Sequence, residues 1–319
     1  MDVLKFSDLD LDFYPATEKD FAQVRSLCSD ERHYMSSIYH SWLQERNRVV
    51  ILAKCNRGVV GMSSAHIVND GQTALMEGLQ VAASERGKGI ARLVHKHILE
   101  RVRARYPEVK RQCYLTQHEY FKGFSVLSKQ CMVFLRFPSI NVPALISEAI
   151  GNMKKSGDEY YEAISLQPDD VRSIFLNRTV IDTILPGGRI IQRGSVFKPL
   201  ESNLDILLKR DIVWRADSVG NTRVVSVGTA PFKDPMGNYI FIIDMFGTDL
   251  PAVKRVFLSQ LQSLPHLQGD VLCRLSVNPS LSPQMWEFCT KKMGLEKRKQ
   301  YLKNSYVIEG DIFQTIARL

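Results

Sequence analysis

The sequence predicts a mixed α/β protein: two tandem units, each a twisted mixed (α+β) sheet flanked by helices. Three observations carry this. Runs with apolar residues at alternate positions are interleaved with stretches that repeat at helical spacing. Over residues 73–105 a strand, a glycine-containing loop and a long amphipathic helix follow one another, which makes the next strand parallel to the first. The order of elements in the first half then recurs in the second, although the halves share little identity. At 319 residues the chain has the length of two ordinary domains. These are expected at 1–140 and 163–319, joined by a connector at 141–162.

The elements read in order as follows. Residues 11–66 give strand, helix, strand, strand. Thr17 can cap a short helix over Asp20–Cys28, with Asp20 at its third position. Tyr34–Leu43 is an aromatic-rich helical stretch. Val49–Lys54 and Val59–Val68 are strands around Asn56-Arg57-Gly58, a hairpin turn with the Gly it requires. Thr73–Val81 is a further strand. Ile90, Leu93, Val94, Ile98 and Val102 line one face of a helix that Pro107 closes. Arg111–Thr116 and Cys131–Phe137 are strands. Between 140 and 162 the pattern weakens, and prolines with a Lys-Lys-Ser-Gly-Asp segment mark a connector with one helix. In the second half Asp169–Asn177 is helical, and Arg189–Arg193, Ile212–Arg215 and Arg223–Thr229 are strands. Tyr239–Phe246 is an apolar central strand, Ala252–Leu264 a helix and Asp270–Val277 a strand. Pro283–Lys292 is a helix and Tyr301–Ile308 the last strand.

Composition narrows the function classes. With 45% hydrophobic and 24% charged residues, disordered, collagen-like and coiled-coil chains are excluded. A net charge of +8 without a basic tail suits phosphate-bearing small molecules or weak nucleic-acid contact, and does not choose between them. Six cysteines lie far apart with no Cys-x-x-Cys, which predicts buried free thiols in a reducing compartment. His95 and His97 read as packing or surface residues of their helix. His33, His40, His66, His118 and His266 show no metal-ligand spacing, so no metal is expected. Arg101, Arg103, Arg105, Lys110 and Arg111 read as a solvated helix face and strand entry, since aromatic interleaving is sparse. The N-terminus is acidic without a long apolar core, and no apolar run approaches the roughly 20 residues of a membrane span. A soluble, cytoplasmic protein with no nucleic-acid or membrane partner is expected.

The sharpest chemical signal is Leu79-Gln-Val-Ala-Ala-Ser-Glu-Arg-Gly-Lys-Gly-Ile-Ala91, between strand and helix. Gly87 and Gly89 let backbone amides approach a ligand closely. The first amides of the helix are free donors, and the helix dipole adds positive potential. Arg86 and Lys88 supply charge beside them. The segment reads as a pyrophosphate cradle. It is not a P-loop, because Gly-x-x-x-x-Gly-Lys-Ser/Thr is absent. It is not a Rossmann fingerprint either, because position 92 is Arg where the third Gly would stand.

Arg86-x-x-Gly89-x-Ala91, after a strand and before a long helix, resembles the signature of the Gcn5-related acetyltransferases. The resemblance implies acetyl-coenzyme A as co-substrate. Its pyrophosphate would lie on the amides of Gly87, Lys88, Gly89, Ile90 and Ala91, with the pantetheine arm along the backbone near Leu79 and Val81. Five further stretches are similar to the histidine N-acetyltransferase subgroup: Tyr39-His-Ser-Trp-Leu43, Glu77-Gly-Leu79, Glu85-Arg-Gly-Lys-Gly89, Leu185-Pro-Gly-Gly188 and Glu201-Ser-Asn-Leu204. That likeness implies a small amino acid, L-histidine, as acceptor. Another amino acid, a protein N-terminus, or a coenzyme-A-binding module without catalysis are the alternatives.

Acetyl transfer to an amine needs a base, a polarised carbonyl and a proton for the leaving thiolate. Glu77 stands on the strand that feeds the cradle, and strict alternation puts 77, 79 and 81 on one face beside the cofactor. It is the candidate base, with a surface ion pair as the alternative role. The resemblance suggests Tyr120, in Tyr-Phe-Lys-Gly-Phe124, as the proton donor. It also suggests Tyr34, Tyr39 and Trp42 as the roof of the acceptor pocket, with the core as the alternative place for Trp42. His118, near the end of the fifth strand, is a further acceptor-side candidate. The second half has no such cradle. After its central strand come Phe246-Gly-Thr-Asp-Leu-Pro251, where Asp replaces the basic residues and Pro removes an amide donor. One cofactor per chain is expected, with a degenerate second unit.

Overall fold

Alternating side chains of β2 (Arg48–Cys55) and β3 (Gly58–Val68) build the first sheet, which is covered on both faces. The structure is a computed structural model and describes residues 10–27, 35–119, 122–157, 159–234 and 236–318. Its contacts divide the chain into two units, residues 1–114 with 121–125 and 309–319, and residues 115–120 with 126–308.

In the first unit the strands lie in chain order: β1 (Asp12–Pro15), β2, β3, β4 (Thr73–Val81) and β5 (Arg111–Thr116). Helices α1 (Phe21–Leu27) and α2 (Met35–Gln44) come before β2, and α3 (Ile90–Arg105) joins β4 to β5. Neighbours from β1 to β4 are antiparallel, and β4 and β5 are parallel. Ile51, Ala53, Ala65 and Ile67 pack with Val94, Ile98 and Val102 of α3. Val50, Leu52 and Met62 point the other way and pack with Val24, Ile38 and Trp42 of α1 and α2. The entry to α1 is pinned as the sequence indicates. The Thr17 N–H and hydroxyl both donate to the Asp20 carboxylate, at 2.9 and 2.7 Å. A single 3₁₀ turn over Glu18–Asp20 precedes the α-helix.

The second unit contains β6 (Phe124–Pro138, from residue 126), α4 (Val142–Lys155), β7 (Ile164–Ser165), α5 (Pro168–Phe175) and α6 (Arg178–Thr183). A hairpin of β8 (Ile190–Gln192) and β9 (Ser195–Phe197) follows, then α7 (Glu201–Leu208), β10 (Ile212–Ala216), β11 (Val225–Thr229) and β12 (Phe232–Lys233). Next come β13 (Tyr239–Phe246), α8 (Leu250–Gln262), β14 (Asp270–Val277), α9 (Ser282–Glu287) and β15 (Glu296–Asp311, to residue 308), after which α10 (Ile312–Arg318) belongs to the first unit. The sheet of the second unit runs β15-β6-β14-β13-β11-β10-β7, with β12 on β13. Phe241, Ile243, Val271 and Leu275 form its core with Val253, Val256 and Phe257 of α8.

The units depart from a boundary at residue 140 in two places, each for a packing reason. β6 pairs with β14 from Cys131 to Pro138, so it belongs to the second unit. The C-terminal residues return to the first, where Ile312 is wholly buried and its N–H donates to the Lys110 carbonyl at 3.1 Å. Cys55, Cys113, Cys131, Cys273 and Cys289 are buried free thiols, and Cys28 lies outside the described residues. No helix among the described residues is long and apolar enough to cross a membrane.

Candidate active site

Strand β4 is the centre of the site, and its irregularity makes it so. Ser64 pairs with Glu77, but Met62 pairs with Gln80, so β4 carries one extra residue between them. Gly78 takes up the bulge at φ +64°, a conformation that costs an L side chain strain and glycine none. The bulge overturns the simple alternation expected from the sequence. Glu77 and Gln80 share the face of Ser64 and Met62, whereas Val81 turns to the opposite face and packs toward α3. Glu77 therefore does not share a face with Leu79 and Val81.

Ahead of the bulge, after Leu75, β4 parts from β5. The parallel pairing covers only Thr73–Leu75 with Arg111–Cys113. Leu79 is 44% exposed, and the strand backbone near it borders the gap. An extended, amide-bearing chain can pair with a strand in this state.

The gap leads to the start of α3. Gly87 and Gly89 adopt φ +79° and +81°, and Gly89 is the N-cap with no side-chain cap hydrogen bond. Arg92 and Leu93 are the first helical amides to bond backward, both to the Gly89 carbonyl at 3.1 and 3.2 Å. The amides of Ile90 and Ala91 precede them and stand among the free donors of the helix start. Arg86, Gly87, Lys88, Gly89 and Ala91 are exposed, while the Ile90 side chain is buried as the first core residue of α3. A Cβ placed on Gly87 would meet nothing within 4 Å, so the loop faces open space. Arg86 Nε donates to the Val81 carbonyl at 3.3 Å, which folds the side chain back over the loop. Beneath it Glu85 is 1% exposed and ion-paired with Lys88 at 3.1 Å and Arg57 at 2.7 Å. The Lys88 hydrogen bond, helped by the Arg57 charge, holds the Glu85 carboxyl below the usual glutamate range against the opposing effect of burial. The residues present fit a pyrophosphate: exposed amides, a helix N-terminus and two cations, with the one carboxylate turned inward and neutralised.

Glu77 sits in a buried ion pair, not a surface one. Arg48 Nη1 donates to its Oε2 at 2.6 Å, with the Arg48 side chain 0% and that of Glu77 9% exposed. The same guanidinium donates to Ser64 Oγ at 2.8 Å and, through Nε, to Glu45 Oε2 at 2.6 Å. It lies 4.5 Å from the ring centroid of Trp42. Sequence reasoning missed Arg48, Glu45 and Ser64. The available signal was an Arg opening a strand whose next five residues are apolar, and a Gly after Glu77 inside another.

Tyr39 is wholly buried, and its hydroxyl donates to the Thr17 carbonyl at 2.7 Å. Trp42 is 4% exposed, part of the same core, and borders a cavity of about 380 Å³ with Pro15, Leu43, Arg48 and Arg101. His118 is exposed after β5, its N–H donating to Thr116 Oγ1 at 3.2 Å. Tyr34 and Tyr120 lie outside the described residues. Burial depresses the basicity of His95 and His97, the latter stacked on Phe13 at 4.5 Å, in keeping with packing roles.

Residues 9–120 match the model of the acetyltransferase (GNAT) family, and residues 159–278 match that of the histidine N-acetyltransferase C-terminal region. The chain is 35% identical over 322 residues to a histidine N-acetyltransferase of Scomber australasicus, covering 96% of this chain and 95% of the relative. It is 36% identical to that of Xenopus tropicalis, covering 96% and 97%. The chain belongs to the GNAT family of N-acetyltransferases, alongside the histidine N-acetyltransferases. Among solved structures, a tandem GNAT protein from the clavulanic acid biosynthesis pathway shares the fold at a TM-score of 0.56 and 12% identity, covering 95% of this chain and 99% of that one. Saccharomyces cerevisiae N-myristoyltransferase gives 0.51 at 10% identity, covering 94% and 79%. As a GNAT enzyme the chain uses acetyl-CoA.

Proposed function

We propose that this N-acetyltransferase acetylates the α-amine of free L-histidine, giving N-acetylhistidine and coenzyme A. The observation that carries the site is the bulged β4, which parts from β5 and runs into an uncapped helix start. The acceptor rests on the relatives named above, all similar over nearly the whole chain. Arg86, Lys88 and the amides of Gly87, Gly89, Ile90 and Ala91 would hold the pyrophosphate. The backbone at Leu79 and Val81 would pair with the pantetheine arm. When bound, acetyl-CoA supplies the activated thioester.

The chain's own residues do the rest. Glu77 takes the proton of the acceptor ammonium, directly or through water, because the amine attacks only when neutral. A backbone N–H near Leu79 donates to the oxygen on which charge develops. As the new N–C bond forms and the C–S bond breaks, Tyr120 gives a proton to the leaving sulfur, and the nitrogen sheds its second proton to water to leave the neutral amide. Trp42 packs on the Arg48 guanidinium, and Tyr39 belongs to the same core.

The test is acetyl-CoA turnover against free amino acids, histamine and short peptides. Histidine is expected to be the best acceptor. Histamine lacks the carboxylate, which leaves a binding group unpaired, and is expected to be poor. Equal turnover of histamine would remove the carboxylate-reading pocket, and equal turnover of peptides would move the acceptor to protein N-termini. Glu77→Gln is expected to slow turnover by about 10²-fold with coenzyme binding intact. Raising the pH should recover part of the loss, as free amine becomes abundant without the base.

A further inference from the structure

A glutamate has three rotatable bonds, and one left loose on a strand spreads its carboxylate over several positions. Glu77 is not loose. Arg48 reaches from the start of β2, past Ser64 on β3, to Glu77 on β4, and bonds both on the way at 2.8 and 2.6 Å. The guanidinium is itself held on the other side by Glu45 at 2.6 Å and stacked near Trp42. We infer that Arg48 is a positioning residue for acetyl transfer, fixing the Glu77 carboxylate in one orientation, with Glu45, Ser64 and Trp42 fixing Arg48. The inference rests on Glu77 being the base.

Planarity explains why the position holds Arg. The fork presents Nε to one carboxylate and Nη1 to another, so the angle between the two glutamates is set by a rigid group. A lysine offers one point charge and no such angle. Two carboxylates share the one guanidinium, and His66 Nε2 lies 3.6 Å from Glu45. In this role Arg48 acts through Glu77.

The decisive experiment is a double-mutant cycle on the full chain, with kcat, acceptor KM and acetyl-CoA affinity measured for each variant. Arg48→Gln is expected to lower kcat by about 10-fold or more, as a misplaced reacting group does. Acceptor KM should change little and acetyl-CoA affinity not at all. In a Glu77→Gln background the same substitution should cost nothing further, because the group it orients is gone. Arg48→Lys should recover only part of kcat. A purely structural Arg48 would instead multiply the two losses, and that result overturns the inference while leaving a slow Glu77→Gln and the base reading intact. Full activity of Glu77→Gln overturns both. Should Arg48→Gln fail to fold, Glu45→Gln takes its place, since Glu45 is 27% exposed. A smaller fall in kcat that vanishes in the Glu77→Gln background supports the inference, and one that persists there overturns it.

Discussion

Each unit contains a strand, a helix and a parallel strand, and only one of these junctions is open. In the first, β4 and β5 pair over Thr73–Leu75 and then separate. In the second, β13 and β14 stay paired from Tyr239–Asp244 to Val271–Ser276, so the backbone groups there are taken up in the ladder. The helix starts differ as sharply. Gly89 opens α3 without a side-chain cap. Asp249 opens α8, its carboxylate accepting from Ala252 N at 2.9 Å and from Arg223 Nη1 at 2.7 Å. That carboxylate already supplies the negative charge a helix start favours, and Pro251 has no N–H to give. The lesson is that the same topology can give two different junctions, set apart by the length of the parallel pairing and the residue at the helix start.

The comparison breaks first at Gly89. Gly89→Asp puts a carboxylate at the start of α3, at a φ of +81° that also strains a side chain, and combined with Arg86→Ala it removes a cation. Acetyl-CoA affinity is expected to fall by about 3 kcal/mol, from one lost charged hydrogen bond and the added repulsion. Titration calorimetry on the folded variant checks this, and unchanged affinity would falsify the cradle. The reverse change sharpens the contrast. Asp249→Ala is expected to cost about 1 kcal/mol of stability in a urea melt, the usual worth of a cap. Coenzyme should bind at one per chain before and after, and a stoichiometry of two would show the second junction open after all. The smallest expected effect concerns Glu85, which anchors Lys88 from below. Its carboxyl is held low mainly by the Lys88 hydrogen bond. The pairing therefore stabilises the fold fully above the unfolded glutamate range, and the contribution is lost as pH falls below that range through the lowered pKa of the folded state. Glu85→Gln should melt below the wild type at pH 7, with the gap narrowing as pH falls below about 4. A gap of constant size would mean that charge has no part in it.

What the sequence alone determined is local. Helical spacing from Ile90 to Val102, the Thr17–Asp20 cap, the hairpin Gly58 and the Arg86–Ala91 loop depend on residues within a turn or two of each other. The glycine loop before α3 and its absence in the Gly247–Pro251 segment were legible for the same reason, since glycine and proline act on their own backbone. Tertiary structure decided the rest. The bulge at Gly78 depends on how β4 registers against β3, and one extra residue sends Glu77 and Val81 to opposite faces. Arg48 and Glu77 are 29 residues apart and meet because three strands lie side by side. Residues 309–319 join the first unit through Ile312 although the chain reaches them last. Tyr39, aromatic and beside a polar helix face, was readable as a pocket residue until its hydroxyl met the Thr17 carbonyl. Short-range hydrogen bonding is written in adjacent residues, whereas strand register and long side-chain reach depend on partners that only folding brings within a few ångströms.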